Sequence, residues 1–191
     1  MLNRFCRRNP HNAHALHLFG LVCERIGHTE LAVVQVNQAI SLLEAAYEES
    51  EDPQIERQFA IAHTNMGRLR LSLGDYEGAK ESFNTVTGLL GEAPGEGTTL
   101  LLTQSYLGSG LANYKLGAAQ DAVESFELAL TAAEGNVQLR GQAVVLLSQT
   151  LWALNEKDGR ETVKAQLLQR YVGGTRTPVC PISPLMCLQH R

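Results

Sequence analysis

No apolar run in this chain approaches the roughly 20 residues that a membrane-crossing helix requires. Apolar runs such as Leu100 to Leu102 and Val144 to Leu147 are short segments of a soluble fold. Cysteine is scarce as well. Cys6, Cys23, Cys180 and Cys187 have neither the density of a disulfide framework nor the spacing of a zinc knuckle. A reducing, cytoplasmic setting is therefore expected, with Cys23 a small core residue. The opening MLNRFCRRNPHN carries arginines but no apolar stretch followed by a small-residue cleavage site, which argues against a secretory signal. Nor is there a cationic excess: 16 Lys and Arg against 20 Asp and Glu give a net charge of -4. Without a global basic field, direct nucleic-acid binding is not expected.

The signatures of catalysis are missing too. No serine or cysteine stands in a recognisable nucleophile motif. Gly88, Gly91, Gly95 and Gly97 form no phosphate cradle, because no strand precedes them and no Lys-Ser/Thr follows. His11, His14 and His17 are spaced for a shared metal, yet no fourth ligand lies at a recognisable distance. The acidic run Glu44, Glu48, Glu49, Glu51, Asp52 and Glu56 lacks the glycine of a calcium loop and reads as a solvated helix face. The lone Trp152 reads as core. The expectation is a protein that is not an enzyme and holds no cofactor or metal.

What the chain does hold is repetition. Gly67 to Val86, GRLRLSLGDYEGAKESFNTV, reads as the end of one helix, a turn at Gly74 and the start of a second helix opened by Asp75. Tyr76, Ala79 and Phe83 follow at helical spacing and should share a buried face. The pattern recurs at two other turn glycines, Gly27 and Gly117. An alanine stands five residues after each (Ala32, Ala79, Ala122), a larger apolar residue four further on (Val36, Phe83, Phe126), and another glycine seven before (Gly20, Gly67, Gly110). Small residues at fixed places let paired helices approach to about 8–10 Å, and the large ones fill the gaps. Turn to turn the spacing is 47 and then 43 residues, from 74−27 and 117−74.

These residues resemble the tetratricopeptide repeat, a helix-turn-helix unit of about 34 residues. The extra residues here fall between units, in SLLEAAYEESEDPQ, which first continues the helix and then breaks at Asp52-Pro53, and in the glycine-rich loop LLGEAPGEGTT. A fourth, degenerate unit is expected from a helix over 137–154 with Val144, Leu147, Leu151 and Leu154 on one stripe, a polar turn at 155–159 and a second helix over 160–171. The fold expected is an all-α, right-handed solenoid of antiparallel helix pairs. Residues 1–12 are read as a stub of a preceding repeat, 13–171 as the array and 172–191 as a disordered, proline-rich tail. The tail is either a short polyproline ligand or a readthrough end, and the whole reads as a piece of something longer.

In such arrays the first helices line a groove, and His17, His63, Thr64, Arg68 and Gln104 are the candidate partner-facing residues. The family's carboxylate clamp uses Lys and Asn on first helices. Carried over, its positions hold His17, Leu21, Asn65, Gln104 and Gly108, and only Asn65 matches.

A closer resemblance lies in NPHNAHALHLFGLVCERIGHTELAV, in ISLLEAAYEESEDPQIERQFAIAHTNMGRLRLSLGDYEGA and in LRGQAVVLLSQTLWAL. Over residues 9 to 170 the chain is similar to the tetratricopeptide scaffold subunits of the fungal Superkiller (Ski) complex. That resemblance implies a protein-interaction scaffold with helicase and β-propeller partners, supporting exosome-linked cytoplasmic mRNA decay. A peptide-binding adaptor of the chaperone or anaphase-promoting type is the alternative.

Overall fold

The computed structural model describes residue 9 and residues 11–50, 52–91, 97–133 and 135–158, with the backbone alone at 152 and 154–158. The expected tail at 172–191, the helix over 160–171, most of the stub at 1–12, the thiols of Cys6, Cys180 and Cys187 and the Trp152 side chain lie outside the described residues. The chain divides into Met1–Thr150 and Leu151–Arg191. Of the second unit, the described residues comprise only the end of the last helix.

Among the described residues the structure is helical throughout. The helices are α1 (Ala13–Arg25), α2 (Thr29–Glu49), α3 (Pro53–Leu73), α4 (Tyr76–Leu90), α5 (Thr99–Lys115), α6 (Ala119–Ala132) and α7 (Val137–Asp158). Their starts follow local chemistry. The side chains of Asn12, Asp52 and Asp75 accept from the amides of Ala15, Gln54 and Gly78 at 2.9, 2.8 and 3.0 Å, each satisfying a donor that the first helical turn leaves free. Pro53, one residue inside α3, needs no such partner because it has no N–H.

The three turn glycines behave alike. Gly74 ends α3 at φ +79°, with its own amide donating to Leu71 O at 3.1 Å and the Asp75 amide to Arg70 O at 2.9 Å. Gly27 and Gly117 share that left-handed geometry, and the amides of His28 and Ala118 reach back to Cys23 O and Asn113 O. This double bond satisfies the last carbonyls of each first helix and turns the chain into the second.

Within each hairpin the glycine of the first helix meets the large residue of the second. A Cβ on Gly20 would stand 2.6 Å from Val36 Cγ2, one on Gly67 would stand 2.7 Å from the Phe83 ring, and one on Gly110 would run into the Phe126 ring. The close approach is therefore a steric requirement. Each helix packs on its sequence neighbours from α1 to α6, and α3 also meets α5 directly. One core cluster joins Cys23 to Val36, Phe59, Met66 and Leu69; another joins Ala60 to Val86, Leu90 and Leu102. Cys23 is buried, as a small core residue is.

The first interval is as the sequence reads: α2 runs on to Glu49, the chain breaks, and α3 starts at Pro53 with Asp52 extended. One helix end differs from expectation. Residues 155–158, expected as a polar turn, continue α7. Of its expected stripe Leu147 and Leu151 are buried and Val144 is half-buried, and Leu139, Ala143 and Thr150 are buried as well; the Leu154 side chain lies outside the described residues. Tyr76 is half-buried too, beside fully buried Ala79 and Phe83.

Candidate functional site

The first helices α1, α3 and α5 bring four of the five candidate partner residues to one side of the array. Two of them form a seam. His17 on α1 is buried, and its Nε2 lies 2.9 Å from Asn65 Nδ2 on α3. Burial lowers the His17 pKa, and His14 one turn earlier lowers it further. A neutral imidazole follows, with Nε2 accepting from the Asn65 amide. Seven residues on, Glu24 receives a two-pronged bond from Arg68, at 2.7 and 2.9 Å, and Arg68 also reaches Asn65 Oδ1 at 3.4 Å. The pair is half open to solvent on the Arg68 side, with 54% of that side chain exposed.

Thr64 is buried between α3 and α5. Its hydroxyl donates to Ala60 O at 2.8 Å and lies 3.4 Å from Ser105 Oγ. Gln104 alone of the five is exposed without a bond to the array. Asn65, the single clamp position with a matching residue, is occupied by His17 and Arg68. His63 departs from the expected groove. It lies on the opposite side of α3, edge-on to Phe59 with ring centroids 4.6 Å apart, and lines an open cavity between α2 and α4. The reason is helical phase: Phe59, His63, Met66 and Arg70 recur at four, three and four residues and share one face, half a turn away from Thr64, Asn65 and Arg68.

Among the described residues no three His, Cys, Asp or Glu side chains gather to hold a metal ion. No described helix is long and apolar enough to cross a membrane. What the surface offers is a row of first helices with polar side chains, a geometry for gripping another chain.

The family model of the tetratricopeptide repeat matches residues 60–89, the body of the α3–α4 hairpin. That hairpin carries the glycine, alanine and phenylalanine whose spacing the α1–α2 and α5–α6 hairpins repeat. The chain carries a tetratricopeptide repeat. Its array resembles a segment of Superkiller protein 3: it is 28% identical over 168 residues to the Schizosaccharomyces pombe protein, covering 88% of this chain. The Saccharomyces cerevisiae protein is 26% identical over 171 residues, covering 90%. The chain spans 12% of the length of each of these relatives. Among solved structures, the apo form of RapI superposes with a TM-score of 0.67 at 16% identity, covering 83% of this chain and 54% of that one. The architecture is thus all-α and tetratricopeptide-like, and such repeats serve as protein-interaction scaffolds.

Proposed function

We propose that this tetratricopeptide array is the counterpart of a scaffold segment of the Superkiller complex, holding a helicase and β-propeller subunits in cytoplasmic, exosome-linked mRNA decay. The observation that carries the reading is the length of the similarity. Three shared repeat signatures of about 34 residues each account for a match of about 100 residues, whereas the alignment to Superkiller protein 3 runs over 168. It therefore includes residues between signatures, where a scaffold chooses its partners.

On this reading the working surface is the first-helix side, with Arg68 and Gln104 its exposed polar residues. Affinity capture from a fungal lysate tests it. Recovery of a helicase together with β-propeller proteins is the expected result, weakened by Gln104→Arg with no change in melting temperature. Enrichment of chaperones in their place would refute it in favour of a peptide adaptor.

A further inference from the structure

The face of α3 opposite the first-helix seam floors an open cavity of about 490 Å3, walled by α2 and α4. Three carboxylates border it: Glu44 and Glu48, one turn apart on α2, and Glu81 on α4. The bordering cation, Arg70, is already engaged. Its guanidinium donates to Gly78 O at 2.8 Å and Ser82 Oγ at 3.1 Å and lies 3.5 Å from Glu81. Among the described residues, Glu44 and Glu48 have no cation within 4.0 Å.

Beside these two free carboxylates the wall is aromatic. The Tyr47 ring stacks on Phe59 with centroids 5.8 Å apart and an interplanar angle of 20°, and Phe59 meets His63 edge-on. His63 Nδ1 is buried without a hydrogen-bond partner. The cavity therefore combines unpaired negative charge with an aromatic wall. Its volume falls in the range of sites that enclose a ligand group, roughly 300–1,000 Å3.

We propose that this cavity binds an arginine side chain presented by a segment of a partner protein. A guanidinium is planar and weakly hydrated, so it lies against an aromatic ring at small desolvation cost while its fork of donors faces carboxylates. Glu44 and Glu48 share one face of α2 and offer acceptors to that fork. A lysine ammonium, compact and strongly hydrated, matches the charge without the stacking or the fork. The site uses neither Arg68 nor Gln104, so it goes beyond the scaffold reading, and the lysate capture and this binding can each fail without the other.

The test is an NMR titration of the full 15N-labelled chain with acetyl-Gly-Ser-Arg-Ser-Gly-amide, beside counterparts carrying lysine or citrulline in place of the arginine. The expected result is shift changes clustered on Tyr47, His63 and Thr85. Citrulline should weaken binding about tenfold, the worth of one charge-assisted contact, and lysine by a smaller factor. Glu44→Gln/Glu48→Gln, both at exposed positions, should weaken the arginine peptide about tenfold as well. The same charge change on α6, Glu124→Gln/Glu127→Gln, should alter it less than about twofold. Shifts scattered over the acidic surface, equal affinity for the citrulline peptide, equal losses in the two double variants, or no shifts at millimolar peptide would each overturn the proposal.

Discussion

A phenyl ring held between two glycines fixes how closely the second and third hairpins stack. Gly67 on α3 receives the Phe83 ring within its own hairpin, and a Cβ on Gly108 of α5 would collide with the same ring. Phe83 is almost wholly buried, so Phe83→Ala should cost about 3–5 kcal/mol in urea unfolding. Gly108→Ala should cost about 1–3 kcal/mol by overpacking. In the double variant Gly108→Ala/Phe83→Leu the smaller side chain makes room, and the losses should fall short of their sum. Strict additivity would mean that the ring and the glycine do not set each other's place. The sequence made Gly67 and Gly110 legible because both recur at a fixed distance from a turn. Gly108 was not, since its equivalents in the earlier repeats are Asn65 and Leu18. The size allowed there depends on the second-helix residue of the neighbouring hairpin, and Val36 stands where the later repeats have phenylalanine.

Helix ends show a similar division between what is local and what is not. The three left-handed turns were readable from single glycines, because few other residues adopt that backbone. The break at Asp52-Pro53 was readable too, and the proline also serves as the first residue of α3. Asp52 caps that start. Its side chain bonds the Gln54 amide, and Asp52→Ala should therefore cost about 1 kcal/mol in thermal or urea unfolding. No change would mean that Pro53 alone starts α3. The polar seam between α1 and α3 carries a different lesson. His17 and Arg68 have the exposed-helix spacing of partner-facing residues, yet they bind Asn65 and Glu24 of the adjacent first helix. Contacts between repeats depend on how the hairpins stack, which no single helix pattern encodes. Because Arg68 is more than half exposed, Arg68→Ala should lower stability by less than about 1 kcal/mol. A larger loss would place the pair among the main supports of the array.

Across the array, α3 is the shared element: His17 ties α1 to it, and His63 lies where it meets α2 and α4. Both histidines have lowered pKa values. For His17 the causes are burial and then His14; for His63 they are burial and then Arg70, with Glu81 acting in the opposite direction. The unfolded chain, with histidines near 6.5, thus binds protons more readily than the folded one. By linkage, stability is full above about pH 7.5 and falls as the pH drops through 6.5, levelling once the lowered native values are passed. The urea midpoint should therefore be lower at pH 5.5 than at pH 7.5, and His17→Gln should reduce that difference. A midpoint that rises on acidification would contradict the neutral-histidine picture. Repeat arrays unfold as one unit only where neighbouring contacts are strong. If the seam on α3 couples the hairpins, His17→Gln and His63→Gln shift the same single transition. Two transitions, with His17→Gln moving only the earlier, would show that α1 and α2 come away before the rest.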